Sequence, residues 1–248
     1  GTSGSVQSAE KLTTARNIAI SGDATGSANG LSVWDNEAQK FLNLDIMTGD
    51  AVENKSAGFF EDSQGTIWVS LRTGVITAID PETFKIKKHL FQTNNEDYFS
   101  RLWFEPENNL YLASAINGGL FYLDMETDSK VPFTPSYNPD LAPFADRKIM
   151  GIAKVDNSSL CISCEDGTLW IVNPYERDYC QLPLQAKNSG QYRFRKVFVV
   201  GEDIIAIGHT EGLLTYDLRR GKIIYNKLTN ELEGKNVYCV CGNIDNGL

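Results

Sequence analysis

The sequence has few of the residues and segments that mark most metal enzymes and membrane proteins. Its 248 residues include only two histidines, His89 and His209, and five cysteines. No apolar run reaches the roughly 18 residues that a membrane-spanning helix needs, and no N-terminal apolar signal segment is present. Basic residues number 23 against 32 acidic ones, for a net charge of −9. This acidic excess argues against a nucleic-acid partner, because the phosphate backbone is also negative.

The cysteines indicate neither a disulfide framework nor a metal site. Their number is odd, and a chain of this length does not need disulfides to hold a core. Cys161 and Cys164 form a CxxC pair, but no second pair exists to complete a zinc site. Motifs of a Ser-His-Asp elbow, a phosphate-binding loop or a dinucleotide fold are also missing. We therefore expect buried, unreactive cysteines, no catalytic residue, no metal and no cofactor.

What the sequence does contain is a repeat of about 44 residues. A glycine opens an apolar segment at five places, and the segment before it begins with an aliphatic residue at a similar spacing. The glycines are Gly30, Gly74, Gly119, Gly167 and Gly212, and the earlier segments begin at Ile67, Leu110, Leu160 and Ile204. Each repeat reads as four short strands joined by polar turns, without helical periodicity.

This pattern predicts an all-β fold, a β-propeller of four-stranded antiparallel blades with about five repeat units. Stacked blades bury apolar faces that a single blade would expose. A β-sandwich with regular turns is the alternative, but it does not require turn glycines at a fixed period. Residues 1–10 are expected to be a tag remnant or disordered end, followed by one propeller over 11–248. Its units are approximately 11–50, 56–92, 98–134, 148–186, 192–230 and a partial unit at 236–248.

The two end units are incomplete, and together they have the strands of one blade. The first shows three strands and the last shows one, from Asn236 to Cys241. Two interpretations remain open. Exchange of the terminal strand closes a ring of five blades, or the chain is an open arc of a larger propeller.

One repeat resembles a known family. The segment 61–69, Glu-Asp-Ser-Gln-Gly-Thr-Ile-Trp-Val, followed by Gly74 and by Asp80-Pro81-Glu82-Thr83, resembles the two-component regulator propeller repeat. Tyr111, Cys161 and Ile205 stand in the other units where Trp68 stands in this one. The resemblance implies a periplasmic sensor fragment of a hybrid histidine kinase of the Bacteroides type, anchored in the inner membrane through its parent protein.

The function that the resemblance implies is recognition without catalysis. The ligand would be a glycan-like small molecule or an oligosaccharide, and further partners would be other propeller domains of the parent or a second copy. This fragment itself would contact neither nucleic acid nor membrane. The alternative is a metal-assisted propeller enzyme, because the same repeat is also similar to streptogramin lyase and gluconolactonase-like propellers.

Candidate ligand-binding residues lie in loops at one face of the propeller and at the starts of inner strands, where function concentrates on a rigid scaffold. Arginines there would hold an acidic group, and tyrosines would stack on a sugar ring. The alternative is that the arginines pair with Glu96, Asp97 or Asp140 and join blades. The candidates are Arg72, Tyr98, Arg101, Tyr137, Arg147, Tyr192, Arg195 and His209.

Two further features have competing interpretations. His209 would act as a metal ligand or base only if acidic residues converge on it from other blades, for example Glu165 and Asp166. A solvent-exposed loop histidine is the commoner case. Glu61 and Asp62 form an acidic pair, but their place in a turn predicts a solvated hairpin end.

Overall fold

The computed structural model describes residues 18–19, 31–35, 39–44, 56–80, 83, 85–92, 98–184, 192–201 and 203–240. Contacts divide the chain into two compact units, Gly1–Tyr98 and Phe99–Leu248. Each unit is described by itself. Nearly all regular structure is antiparallel β-sheet, as the repeat predicts.

The first unit contains two antiparallel sheets. One has three strands, in the order β1 (Ile18–Ala19), β2 (Leu31–Asp35) and β3 (Lys40–Leu44). The other has four strands, in the order β4 (Ser56–Glu61), β5 (Ile67–Leu71), β6 (Val75–Ile79) and β7 (Ile86–Gln92).

The second unit contains three sheets, each a four-stranded antiparallel meander. Its first sheet consists of β8 (Phe99–Glu105), β9 (Leu110–Ala115), β10 (Leu120–Asp124) and β11 (Ser129–Pro132). The second consists of β12 (Ile149–Lys154), β13 (Leu160–Cys164), β14 (Leu169–Asn173) and β15 (Asp178–Gln181). The third consists of β16 (Phe194–Val200), β17 (Ile204–His209), β18 (Gly212–Asp217) and β19 (Lys222–Ile224).

Both repeat markers fall where the sequence predicts them. The second strands of the four complete sheets begin at Ile67, Leu110, Leu160 and Ile204. The glycines before or at the start of the third strands have positive φ, from 82° at Gly167 to 142° at Gly212. A side chain with a Cβ rarely adopts this conformation, which explains why glycine recurs in the turn.

The middle strands of each blade form the core. Every residue of β5, β6, β13 and β18 is buried, whereas the outer strands β11 and β15 are mostly exposed. A strand buried on both faces reads as an apolar run rather than an alternating pattern, as in Ile67–Leu71. Such burial is what stacked blades produce.

Within the second unit, successive blades are linked by side chains that donate to backbone carbonyl groups. Arg101 on β8 donates from Nε to the carbonyl oxygen of Met150 on β12 at 2.6 Å. Ser163 on β13 donates from Oγ to the carbonyl oxygen of Arg195 on β16 at 2.8 Å. The strands approach so closely that a Cβ on Gly151 would lie 2.7 Å from the backbone nitrogen of Val197.

The described residues form four complete blades and one three-stranded sheet, and the strand exchange that would close a ring of five blades is not found among them. Residues 236–240, predicted as a strand, form none and instead pack against the last sheet. Val237 donates from its backbone N–H to the carbonyl oxygen of His209 at 3.0 Å. A Cβ on Gly208 would lie 2.4 Å from the carbonyl oxygen of Val237. This segment thus contacts β17 where an inner strand contacts the preceding blade, but it has no hydrogen-bonded partner strand among the described residues.

Two local features differ from the sequence-based expectations. A short helix, α1 (Lys227–Glu231), follows β19 and begins with a capping box between Asn226 and Thr229. Asp62, expected at a solvated hairpin end, is only 6% exposed. Its carboxylate accepts from the backbone N–H groups of Gln64 and Thr66 and from Trp68 Nε1. Because those donors are fixed by the turn, Asp62 stabilises it from within.

Candidate ligand pocket

The last blade of the second unit contains a cavity of about 370 Å³. This volume falls within the range of small-molecule sites, roughly 300–1,000 Å³. The cavity lies beside the turn between β17 and β18, and its polar and aromatic lining residues are Tyr192, His209, Glu211, Tyr225, Thr229, Asn230 and Glu233.

The backbone holds the walls of this cavity in place. Glu211 and Gly212 form the β17–β18 turn, and the carbonyl oxygen of Glu211 accepts from the backbone N–H of Gly234 at 2.9 Å. A Cβ on Gly212 would lie 3.0 Å from the carbonyl oxygen of Leu232. The turn and the segment after α1 are therefore in direct contact, and their side chains line one space.

His209 is the most buried polar residue of the cavity, with 5% of its surface exposed. Its ring lies 4.3 Å from the ring of Tyr192, centroid to centroid. Its Nδ1 accepts from the backbone N–H of Glu211 at 3.1 Å. Burial lowers the pKa of His209 to about 4. The ring is thus neutral near pH 7, and with Nδ1 as acceptor its proton is assigned to Nε2.

The remaining groups give the cavity a polar, acidic and aromatic character. Glu211 and Glu233 line the cavity together with Asn230 and with Tyr225, which is 62% exposed. Among the described residues that line the cavity, none is a lysine or arginine. Leu213, Leu214, Ile223 and Ile224 supply the apolar floor. Such a site can stack on a ring and exchange several hydrogen bonds with it.

The described residues do not bring together three or more His, Cys, Asp or Glu side chains able to hold a metal ion. Glu165 and Asp166, the neighbours suggested for His209, make other contacts: Lys148 with Glu165 and Arg147 with Asp166. Burial raises the pKa of the Cys161 and Cys164 thiols, the latter to about 12. Both thiols therefore stay protonated, as expected for buried structural cysteines. Cys180 and Cys239 are exposed, so for them the expectation of burial is wrong.

Of the eight predicted ligand-binding residues, the structure brings Tyr192 and His209 into one cavity. Three of the four predicted arginines, Arg101, Arg147 and Arg195, make other contacts. Besides Met150, Arg101 contacts the carbonyl oxygen of Ser100 at 2.6 Å. Arg147 pairs with Asp166 and lies 4.9 Å from the Trp170 ring centroid.

The other predicted residues occupy separate surroundings. Arg195 lies over the ring of Tyr238 at 5.0 Å, and its buried Nε has no hydrogen-bond partner among the described residues. In the first unit, the Arg72 guanidinium lies 6.0 Å from the ring centroid of Tyr98. Tyr137 is 65% exposed and its ring stacks near that of Tyr179 at 6.5 Å. Ligand binding by these residues stays a prediction.

Five polar residues of the cavity were not predicted from the sequence: Glu211, Tyr225, Thr229, Asn230 and Glu233. Three of these lie in the loops 208–211 and 230–236, which belong to the face where ligand binding is expected. The missing signal was α1, because the helix brings Asn230 and the segment after it back toward the turn. An Asn226 followed three residues later by Thr229 is a usable sign of that helix start.

A second cavity, of about 300 Å³, is lined by residues of the β16–β17 and β18–β19 turns. Ion pairs occupy its polar groups: Arg219 contacts Asp203 at 2.7 Å and Arg220 contacts Asp217 at 3.6 Å. Because its charged side chains already pair with one another, this cavity has few polar groups left to bind a ligand.

Four-stranded antiparallel blades with buried middle strands define the chain as a β-propeller protein. Solved structures share this fold. The extracellular domain of a one component system from B. thetaiotaomicron matches with a TM-score of 0.59 and 13% identity, over 82% of this chain and 28% of that one. The computationally designed Ika8 protein matches with a TM-score of 0.57 and 12% identity, over 88% of this chain and 60% of that one.

A third structure extends the likeness to a eukaryotic protein. The β-propeller domain of Cps50 (Swd1) from Myceliophteria thermophila matches with a TM-score of 0.56 and 14% identity, over 81% of this chain and 61% of that one. The chain thus spans 28% to 61% of the length of these neighbours. No protein-family model and no curated protein matches the sequence. Identities this low establish the fold alone.

Within the described residues, no helix has the length and apolar character needed to cross a membrane.

Proposed function

We propose that this chain is a non-catalytic recognition propeller, a part of the ligand-sensing region of a periplasmic signalling protein. Its ligand would be a glycan-like small molecule held in the cavity of the last blade. The observation that carries the proposal is the position of this cavity. It lies where the second-to-third strand turn meets the segment that follows the last strand, and such loops on a rigid scaffold are the usual place for binding.

Two further observations support a sensing role. One neighbour with the same fold is the extracellular domain of a one component system, which is a signalling protein. The lining of the cavity also suits recognition, since it combines aromatic rings, a neutral histidine and hydrogen-bonding side chains. A sugar-like ligand uses both kinds of contact, because its ring has apolar faces and polar edges.

The proposal is tested by thermal unfolding of the chain against a panel of mono- and oligosaccharides. A ligand that binds only the folded state raises the melting temperature by mass action. Tyr225→Ala should weaken the response, and because this side chain is 62% exposed the unliganded protein should keep its melting temperature. Tyr137→Ala is the matched comparison, since Tyr137 is equally exposed but lies outside the cavity.

A response lost in Tyr225→Ala and kept in Tyr137→Ala supports the cavity as the binding site. The reverse result would place the ligand at the loop of Tyr137 and refute the assignment to this cavity. Calcium, magnesium and zinc are added in a parallel series. A metal-assisted enzyme should gain stability from one of these ions, whereas a recognition propeller should gain little. Stabilisation by a metal without any response to saccharides would contradict the proposed function.

A further inference from the structure

The charged residues that line the cavity restrict the class of ligand more than the position of the cavity does. Glu211 and Glu233 are acidic residues of the lining, and among the described lining residues none is a lysine or arginine. His209 cannot offset this charge near pH 7, since burial keeps its ring neutral. An anionic ligand would therefore meet repulsion here, and a cationic one would be attracted. The described lining therefore favours a cationic ligand over the acidic sugar that the arginine positions suggested.

His209 adds a requirement of a different kind. It lines the cavity, and only 5% of its surface is exposed. Nδ1 is occupied by the Glu211 N–H, so the neutral ring carries its proton on Nε2. No described residue accepts a hydrogen bond from that nitrogen. Nε2 is not fully enclosed, so a ligand in the cavity can supply an oxygen that accepts a hydrogen bond from it.

The aromatic side chains supply the third element. Tyr192 packs against His209, while Tyr225 is largely exposed at the cavity. Aromatic faces favour both the apolar face of a sugar ring and a nearby cation. The ligand class that meets all three requirements carries a positive charge, hydroxyl oxygens and a ring.

We propose that this cavity binds an amino sugar with a free, protonated amino group. The ammonium pairs with the carboxylates of Glu211 and Glu233, a hydroxyl oxygen accepts from His209 Nε2, and the ring lies against Tyr225. This inference rests on the proposed recognition function and specifies its ligand class.

Isothermal titration calorimetry at low salt tests it with three probes of similar size: D-glucosamine, N-acetyl-D-glucosamine and D-glucose. Acetylation removes the charge and keeps the ring, so D-glucosamine should bind about tenfold or more tightly than the other two. The double variant Glu211→Gln and Glu233→Gln should reduce its affinity to that of the neutral sugars. The fold should survive this change, because the turn is held by the backbone groups of Glu211.

Glu176→Gln is the matched control, since Glu176 is exposed in a turn outside the cavity. It should leave the affinity for D-glucosamine unchanged. Equal binding of the three probes, with no effect of the double variant, would refute the inference but keep the proposed function. Absence of binding by all three probes would refute the inference, and the oligosaccharide panel then decides the proposed function separately. A loss that is equal in Glu176→Gln would show a general charge effect and also refute it.

Discussion

Acidification should destabilise the second unit through His209. Burial lowers the pKa of this ring to about 4 in the folded protein, whereas an unperturbed histidine titrates near about 6.5. Between these values the unfolded chain binds more protons than the folded one, so falling pH favours unfolding. Glu211 and Glu233 line the same cavity, but the shift is caused by burial of the ring.

The size of the effect follows from the two pKa values. Between about pH 7.5 and about pH 5.0, linkage gives a loss of about 2 kcal/mol in the free energy of unfolding. The loss begins as the pH falls through about 6.5 and approaches about 3 kcal/mol below about pH 4. For a domain of this size, each kcal/mol corresponds to roughly 2–4 °C in melting temperature.

The assay is urea unfolding at the two pH values, in the wild type and in His209→Asn. An asparagine oxygen can still accept from the Glu211 N–H but does not titrate. The variant should be less stable at neutral pH, because it loses the ring contacts to Tyr192 and Phe194. It should nevertheless lose about 2 kcal/mol less than the wild type on acidification. His89 is present in both proteins and cancels. Equal losses in the two proteins would refute the role of His209.

Three other predictions concern the links between blades and the thiols. Arg101→Ala should lower the free energy of unfolding by about 2–3 kcal/mol, because two short hydrogen bonds from a charged donor are lost. The control is Arg219→Ala at an exposed site, which should lower it by less than about 1 kcal/mol. Equal melting temperatures of the two variants would contradict this prediction. Gly208→Ala should lower the free energy of unfolding by about 1–3 kcal/mol, because the added Cβ displaces Val237. The slow hydrogen exchange of the Val237 amide should then be lost, and unchanged exchange would refute the contact. Among the described cysteines of the native protein, iodoacetamide should modify the exposed Cys180 and Cys239 and leave the buried Cys161 and Cys164 unmodified. Mass spectrometry of the peptides measures this.

The fold could be predicted largely from the sequence, because its signals are local. A turn glycine such as Gly167 has a positive φ that other residues avoid, so its recurrence marks the same turn in each blade. An apolar run such as Ile67–Leu71 marks a strand buried on both faces. These features depend on a few neighbouring residues, and they recur with the period of the blade.

The contacts of the arginines could not be predicted in the same way, because their partners are set by blade stacking. Arg101 bonds a carbonyl 49 residues away, and backbone carbonyls carry no mark in a sequence. Arg147 pairs with Asp166 in a turn of the following blade rather than with the acids suggested from nearby positions. The burial of Asp62 could not be predicted either, although its partners are close in the sequence. Its burial follows from Trp68, whose indole reaches back to it across the hairpin.

The contacts between successive blades also constrain how this propeller can change. One uses the guanidinium of Arg101 and the next uses the hydroxyl of Ser163, whereas after the last blade the bare backbone of Gly208 contacts Val237. Each contact uses a different residue type. A blade moved to another position by recombination would therefore carry a contact residue that does not match its new neighbour. Recombination should succeed only when the exchanged segment begins and ends within blades, so that both residues of each contact between blades are exchanged together.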